Sequence, residues 1–212
     1  MEVYRRLPSR GEPETVHAAV PQGCEILELG CGAGRMTHRL LALGHRVVAV
    51  DQSPQMLAHV HGAEAVLCDI ESLTLGRRFP AVVLASNLVN TAVPGQRAAF
   101  LATCRRHLAP EGSVILERMH PHWLDAELAG HIDHVSQWGP VRFSVVAARL
   151  EGTVLEATLV FQIGGLRMPD TFCSEILDDD ALVAALADAG LALGRWLDAD
   201  HRWAEAVAAP PV

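Results

Sequence analysis

The sequence predicts an α/β protein whose core is a parallel β-sheet covered by helices on both faces, with an antiparallel β insertion after the fifth strand. Three observations carry this reading. Between residues 25 and 116, short and continuously apolar runs alternate with stretches of helical periodicity, the pattern of strands buried on both faces. Between residues 141 and 163 the pattern changes to two strand-like runs, and in the second Leu155, Ala157, Leu159, Phe161 and Ile163 fall on one face with Glu156, Thr158 and Gln162 on the other, as in an antiparallel sheet with one exposed face. From residue 178 an acid-headed helix and two short strands follow.

The elements can be justified in order. Residues 1–22 read as a leader arm with one short helix. Glu25–Gly30 is a short apolar run that ends in glycines, a buried strand. Arg35–Leu43 carries Met36, Leu40, Leu41 and Leu43 at helical spacing, and Gly44 stops it. Arg46–Asp51 is a second strand. Ser53 and Pro54 supply an N-cap and a first helical residue, so a helix is expected from there to His61. Ala65–Cys68 and Ala81–Ala85 are the third and fourth strands. Gln96–Leu108 is a helix with Phe100, Leu101, Cys104 and Leu108 on one face. Pro110-Glu111-Gly112 is a turn, and Ser113–Leu116 is the fifth strand.

Val141–Leu150 and Thr153–Ile163 then read as two antiparallel strands joined near Glu151-Gly152, with a third near Thr171–Ile176. In the second, Leu155, Ala157, Leu159, Phe161 and Ile163 share a face. Asp178-Asp179-Asp180 place acids at the positive end of a helix that stops at Gly190. Leu191–Leu197 and Arg202–Val207 form a closing hairpin. The expected organisation is an arm over 1–22, a core over 23–118, an insertion over 119–177, and a closing helix and hairpin over 178–212.

Composition narrows the function. Half of the 212 residues are hydrophobic and a fifth are charged, a folded globular composition. No run of about 18 apolar residues occurs, so no membrane partner is expected, and Met1–Arg6 lacks the apolar stretch of a secretory signal. The five cysteines are widely spaced and form no CxxC, which points to a reducing cytoplasm rather than a disulfide framework. The formal net charge of −8 denies the global attraction that nucleic-acid binding draws on.

The strongest chemical signal is Glu28-Leu29-Gly30-Cys31-Gly32-Ala33-Gly34 between a strand and a helix. Glycines there let the backbone turn sharply and approach a ligand, and the following helix presents free N–H groups. A dinucleotide turn of the GxGxxG type would need glycine at position 35, where Arg35 stands. Asp51 ends the second strand about twenty residues after Gly30, where a carboxylate can accept both hydroxyls of a ribose. Asp69 ends the third strand, where an adenine amino group could donate to it. Ser86-Asn87 follow the fourth strand at the same edge.

Taken with Val50-Asp51-Gln52-Ser53-Pro54-Gln55-Met56-Leu57, Cys68-Asp69-Ile70 and Leu108-Ala109-Pro110-Glu111-Gly112, this turn resembles the class I S-adenosylmethionine (SAM)-dependent methyltransferases over residues 24–118. Ala189-Gly190-Leu191 resembles the end of the same family. The resemblance implies a doubly wound, Rossmann-like sheet of seven strands with the last antiparallel, and SAM as cofactor. It implies that Gly30, Cys31, Gly32 and Gly34 line the methionine and ribose part of SAM, supported by Glu28. It implies that Asp51 holds the ribose hydroxyls, Asp69 and Ile70 read the adenine, Gln52 and Met56 flank the adenosine, and Asn87 lies near the methionine end. Asn87-Leu88-Val89-Asn90 departs from the Asn/Asp-Pro-Pro-Tyr/Phe motif of members that methylate nucleobase or glutamine amines.

The insertion is expected to roof a small-molecule acceptor. His120 leaves the fifth strand at the active edge and is a candidate general base toward a hydroxyl or ammonium; a structural histidine is the alternative. His122, Trp123, Trp138 and Phe143 are candidate acceptor contacts, with Phe161 beside them, and core packing is the alternative for the aromatics. His120, His122, His131 and His134 with Asp125 and Asp133 fit no tight ligand spacing, so no metal is expected. The function expected is methyl transfer to an O or N atom of a small molecule by a monomer or homodimer, against the alternatives of a SAM-binding protein without transfer and an RNA or protein methyltransferase.

Overall fold

A computed structural model describes residues 7–119 and 135–210, with the backbone alone at Val135, Ser136 and Trp138. Its elements are α1 (Glu12–Ala19), β1 (Glu25–Leu29), α2 (Arg35–Ala42), β2 (Arg46–Asp51), α3 (Pro54–Leu57), β3 (Glu64–Leu67), β4 (Phe79–Leu84), α4 (Gln96–His107), β5 (Leu108–Glu117), β6 (Val135–Trp138), β7 (Val141–Glu151), β8 (Val154–Ile163), β9 (Leu166–Glu175), α5 (Asp179–Asp188), β10 (Leu191–Trp196) and β11 (Trp203–Ala208).

The main sheet has the order β10-β11-β5-β4-β1-β2-β3. β3, β2, β1, β4 and β5 are parallel, and β11 is antiparallel to both of its neighbours. This is the doubly wound, seven-stranded arrangement expected, with the last strand reversed.

The apolar runs divide their side chains between two covered faces. Leu27, Leu29, Val82 and Leu84 point to one cluster, with Phe100, Leu101 and Cys104 of α4 and Leu182 and Leu186 of α5. Ile26, Val47, Ala81 and Val83 point to the other, with Met36 and Leu40 of α2 and Val16 of α1. Each large apolar side chain buried in this way contributes roughly 1.5–3 kcal/mol. The arm helix is thus part of the core. Its outer side is held by Glu14 to Arg39 at 2.7 Å and Glu12 to Arg35 at 2.9 Å. Burial alone would raise the Glu12 carboxyl. The Arg10 amide and the Arg35 guanidinium outweigh it and hold the group below the usual range.

Register brings the strand ends level. Leu29 lies opposite Val50 and Leu84, Asp51 opposite Leu67, and Leu84 opposite Leu116. Gly30, Asp51, Asp69, Ser86 and Glu117 therefore follow or end adjacent strands at one edge, the place where doubly wound sheets bind ligands.

Three expectations change. The helix begun at Ser53 has a working N-cap, whose hydroxyl accepts from the Met56 amide, but it ends at Leu57 rather than His61. Pro110-Glu111-Gly112 is not a free turn. It lies within β5, which starts at Leu108 opposite Phe79 and shifts register before Ala81 pairs with Ser113. Gly112 permits this, since a Cβ there would stand 2.8 Å from the Pro80 carbonyl oxygen. The insertion has four strands rather than three, in the order β6-β7-β8-β9 and antiparallel throughout.

Candidate functional site at the carboxyl edge

The site is built on the turn from β1 to α2. Gly30, Gly32 and Gly34 have φ of 72°, 56° and 82°, values that favour glycine. A Cβ at Gly30 would stand 2.5 Å from Leu88 Cδ1 and one at Gly34 would stand 2.8 Å from the His38 ring, whereas nothing lies within 4 Å of that position at Gly32. Two of the glycines thus close the turn against protein, and the middle one opens onto free space. The amides of Gly30 and Cys31 both donate to the Val50 carbonyl at 2.9 Å, which ties the turn to the end of β2.

Asp51 completes that tie. Its Oδ2 accepts from the Gly32 amide at 2.8 Å and its Oδ1 from the Ser53 amide at 2.9 Å. A carboxylate has about four lone-pair sites, so each oxygen keeps one for a further donor. Gln52 beside it is exposed and Met56 is half-buried. Asp69 is exposed at the end of β3, and Ile70, which opens the following 3-10 turn, is buried.

Glu28 lies beneath the turn and is buried, with Thr37 Oγ1 donating to its Oε2 at 2.6 Å. Burial pushes its carboxyl up to about 7, against the Thr37 hydrogen bond and the nearby Arg35 charge, with Asp51 adding to the rise. Glu28 therefore holds its proton far above the ordinary carboxyl range. Burial likewise pushes the Cys31 thiol up, with Glu28 and Asp51 reinforcing it, which disfavours the thiolate. Glu28, Gly30, Cys31, Arg35 and Ser86 line one cleft.

The fourth strand ends in a second tight turn. Ser86 and Asn87 have φ of 57° and 58°, unusual for residues other than glycine. The Asn87 Oδ1 is buried with no hydrogen-bond partner among the described residues. A buried acceptor in that state calls for a donor.

Sequence reasoning did not assign the residues that brace this edge. Glu117 ends β5 almost fully buried; its Oε2 accepts from the Ser86 amide at 2.7 Å and its Oε1 pairs with Arg202. Asn90 Oδ1 accepts from the Met119 amide at 2.7 Å, and Asn90 Nδ2 donates to the Glu175 carbonyl at 2.8 Å. Arg118 is 1% exposed and donates to the carbonyls of His201 and Leu177 at 2.8 and 2.9 Å, and it pairs with Asp179. These contacts lie where the chain leaves the core for the insertion and where it returns. The one local signal was an acid, Glu117, ending an apolar strand; the partners stand dozens of residues away.

His120, His122 and Trp123 lie outside the described residues, and of Trp138 only the backbone is described. Phe143 is 7% exposed and sits among Val141, Phe161 and Ile163, its ring centroid 6.2 Å from that of Phe161, which is the packing alternative. Among the described residues no three histidine, cysteine or acidic side chains converge as metal ligands. None of the described helices is long and apolar enough to cross a membrane.

Comparison with known proteins agrees with this geometry. Residues 26–112 match the family described as a methyltransferase domain. The chain is 29% identical over 127 residues to a ubiquinone biosynthesis O-methyltransferase of Bradyrhizobium diazoefficiens, covering 56% of this chain and 49% of that protein. It is 34% identical over 106 residues to a cypemycin N-terminal methyltransferase of Streptomyces, covering 47% and 43%. The chain thus spans about half the length of the curated relatives it matches. Among solved structures, the CcbJ methyltransferase from Streptomyces caelestis superposes with a TM-score of 0.78 at 21% identity, over 99% of this chain and 96% of that one. Residues 26–112 are thus similar to a methyltransferase domain, and the chain has the fold of SAM-dependent methyltransferases.

Proposed function

We propose that the protein transfers the methyl group of SAM to an oxygen or nitrogen atom of a small molecule. The observation that carries this is Asp51. It braces the open Gly32 turn at 2.8 Å and keeps lone pairs for a diol. The rest of the edge fits the same ligand. Gly32 has nothing within 4 Å of its Cβ position among the described residues, so its backbone is open to approach by a ligand. Asn87 Oδ1 has no donor among the described residues, and an ammonium would supply one. Asp69 and Ile70 offer an acceptor and an apolar surface at the adenine end. Gln52 and Met56 flank it from the start of α3. The two named relatives act in ubiquinone biosynthesis as an O-methyltransferase and on cypemycin as an N-terminal methyltransferase, and both chemistries suit this reading.

When bound, SAM supplies an activated methyl group on a sulfonium. The chain's share is alignment and exclusion of water, and alignment of this kind lowers a barrier by roughly 7–11 kcal/mol. Buried Glu28, its carboxyl pushed up to about 7 by burial, supports the turn from beneath through Thr37. His120 directly follows Met119, whose amide is held by Asn90. It is proposed to take the acceptor's proton, with His122 and Trp123 as further acceptor contacts. A positioned base contributes about 10²–10⁴-fold.

The test is incubation with methyl-labelled SAM and a panel of small phenols, amines and amino sugars. Gain of one methyl group on a panel member, with S-adenosylhomocysteine formed, supports the reading. His120→Ala is then expected to slow that transfer about a hundredfold while S-adenosylhomocysteine still binds. Binding of SAM with no transfer to any panel member would favour a SAM-binding protein that does not methylate.

A further inference from the structure

The turn after β4 carries two consecutive left-handed residues, Ser86 and Asn87, neither of them glycine. Such a conformation costs free energy and persists where the surroundings impose it. Four contacts impose it here. The Ser86 amide donates to Glu117 Oε2 at 2.7 Å. The Leu88 amide returns to the Ala85 carbonyl at 3.2 Å and the Asn90 amide to the Asn87 carbonyl at 2.9 Å. The Leu88 side chain occupies the place a Cβ of Gly30 would take, 2.5 Å from it. The turn is therefore anchored to β5 on one side and seated against the glycine turn on the other.

Glu117 suits that anchoring role. It is 2% exposed, and both its oxygens are engaged, one by Ser86 and the other by Arg202 of the β10–β11 connection. A buried carboxylate with one amide and one guanidinium on it is fixed in place. We propose that Glu117 is a positioning residue of the donor site. It holds Ser86 and Asn87 in the left-handed turn that leaves the Asn87 Oδ1 available to the aminobutyrate end of SAM, and Arg202 holds Glu117. This rests on the donor reading above and names a determinant of the methionine end that lies two strands away from the glycine turn.

The test separates the two ends of the ligand. S-adenosylhomocysteine and 5′-methylthioadenosine, which lacks the aminobutyrate, are titrated calorimetrically into the wild-type chain, Glu117→Ala, Glu117→Gln and Arg202→Gln. Loss of one charge-assisted anchor is expected to weaken S-adenosylhomocysteine about tenfold in Glu117→Ala. Methylthioadenosine should stay within about twofold of wild type. Glu117→Gln, whose amide oxygen still accepts from Ser86, should retain most of the affinity. Should Glu117→Ala fail to fold, Arg202→Gln at a half-exposed position carries the same test, with an expected loss of about threefold for S-adenosylhomocysteine alone. Ser86→Gly, which adopts the left-handed turn without a Cβ, should restore part of the affinity when added to either variant. Unchanged S-adenosylhomocysteine binding, or equal weakening of both ligands, would overturn the proposal. A wild-type chain that binds neither ligand would instead defeat the donor reading itself.

Discussion

The parallel sheet and the insertion sheet of this molecule are covered very differently. In β1, Ile26 and Leu27 are both fully buried although they face opposite sides, because helices lie on each. In the insertion the buried clusters among the described residues are two small groups, around Val141 and Phe161 and around Leu155 and Ala157, with Val145 and Val160 buried outside both, while Val146, Leu150, Val154 and Leu166 are exposed. A strand clamped on both faces cannot slip in register without burying the wrong residues. Its end is therefore a dependable place to mount a ligand-binding turn. The difference teaches why the proposed donor site is placed on the parallel strands, and why the proposed acceptor contacts fall to the less clamped insertion.

The sharpest way to test that difference is to cut into the clamped half. Leu27→Ala, at a fully buried position, is expected to cost about 2–5 kcal/mol of unfolding free energy, read by chemical denaturation. Next is Asp51→Ala. It removes two hydrogen bonds to backbone amides as well as the proposed ribose contact. It should weaken S-adenosylhomocysteine at least about tenfold, and each lost charge-assisted bond should lower stability by roughly 1.5–3 kcal/mol. A variant that binds normally, or that loses binding with no loss of stability, would contradict the bracing role.

A pH series probes the same turn from below. Burial raises the folded-state pKa of Glu28 from 4.5 to about 7. Its stabilising contribution is then complete below pH 4.5 and is lost as the pH climbs to about 7. The slope is at most about 1.4 kcal/mol per pH unit. Glu28→Gln carries no such charge, so its stability relative to wild type should rise across that window and level off above it. A difference independent of pH would show that Glu28 is ionised throughout. The smallest effect is expected in the insertion, where Leu166→Ala at an exposed position should change stability by no more than about 0.5 kcal/mol.

What could be read from the sequence follows the same division. The glycine turn, Asp51 and Asp69 were legible because their signals are local: a residue type at a strand end, a few positions from its partner. Glu117 directly follows the fifth apolar run, but its partner Arg202 is 85 positions away, and no local pattern announces such a pairing. Arg118 is buried because two distant segments, around Leu177–Asp179 and at His201, supply its acceptors. In the insertion, β9 was visible only toward its end because Pro169 and Asp170 are poor strand formers. Pro169 is tolerated since β9 is an edge strand. The four-residue β6 is too short to show a period at all. The tight turn at Asn87 has no counterpart in the sequence, since left-handed backbone at a non-glycine residue leaves no mark in composition.

The central claim is that the clamped edge is a SAM site, and one measurement tests it most directly. Calorimetric titration of the full chain with S-adenosylhomocysteine and, separately, with NADH compares the two ligands that a glycine turn followed by a strand-end aspartate could serve. The account predicts saturable binding of S-adenosylhomocysteine and far weaker binding of NADH, because Arg35 stands where a dinucleotide turn needs its third glycine and the turn closes instead at Gly34. NADH binding equal to or tighter than that of S-adenosylhomocysteine would contradict it.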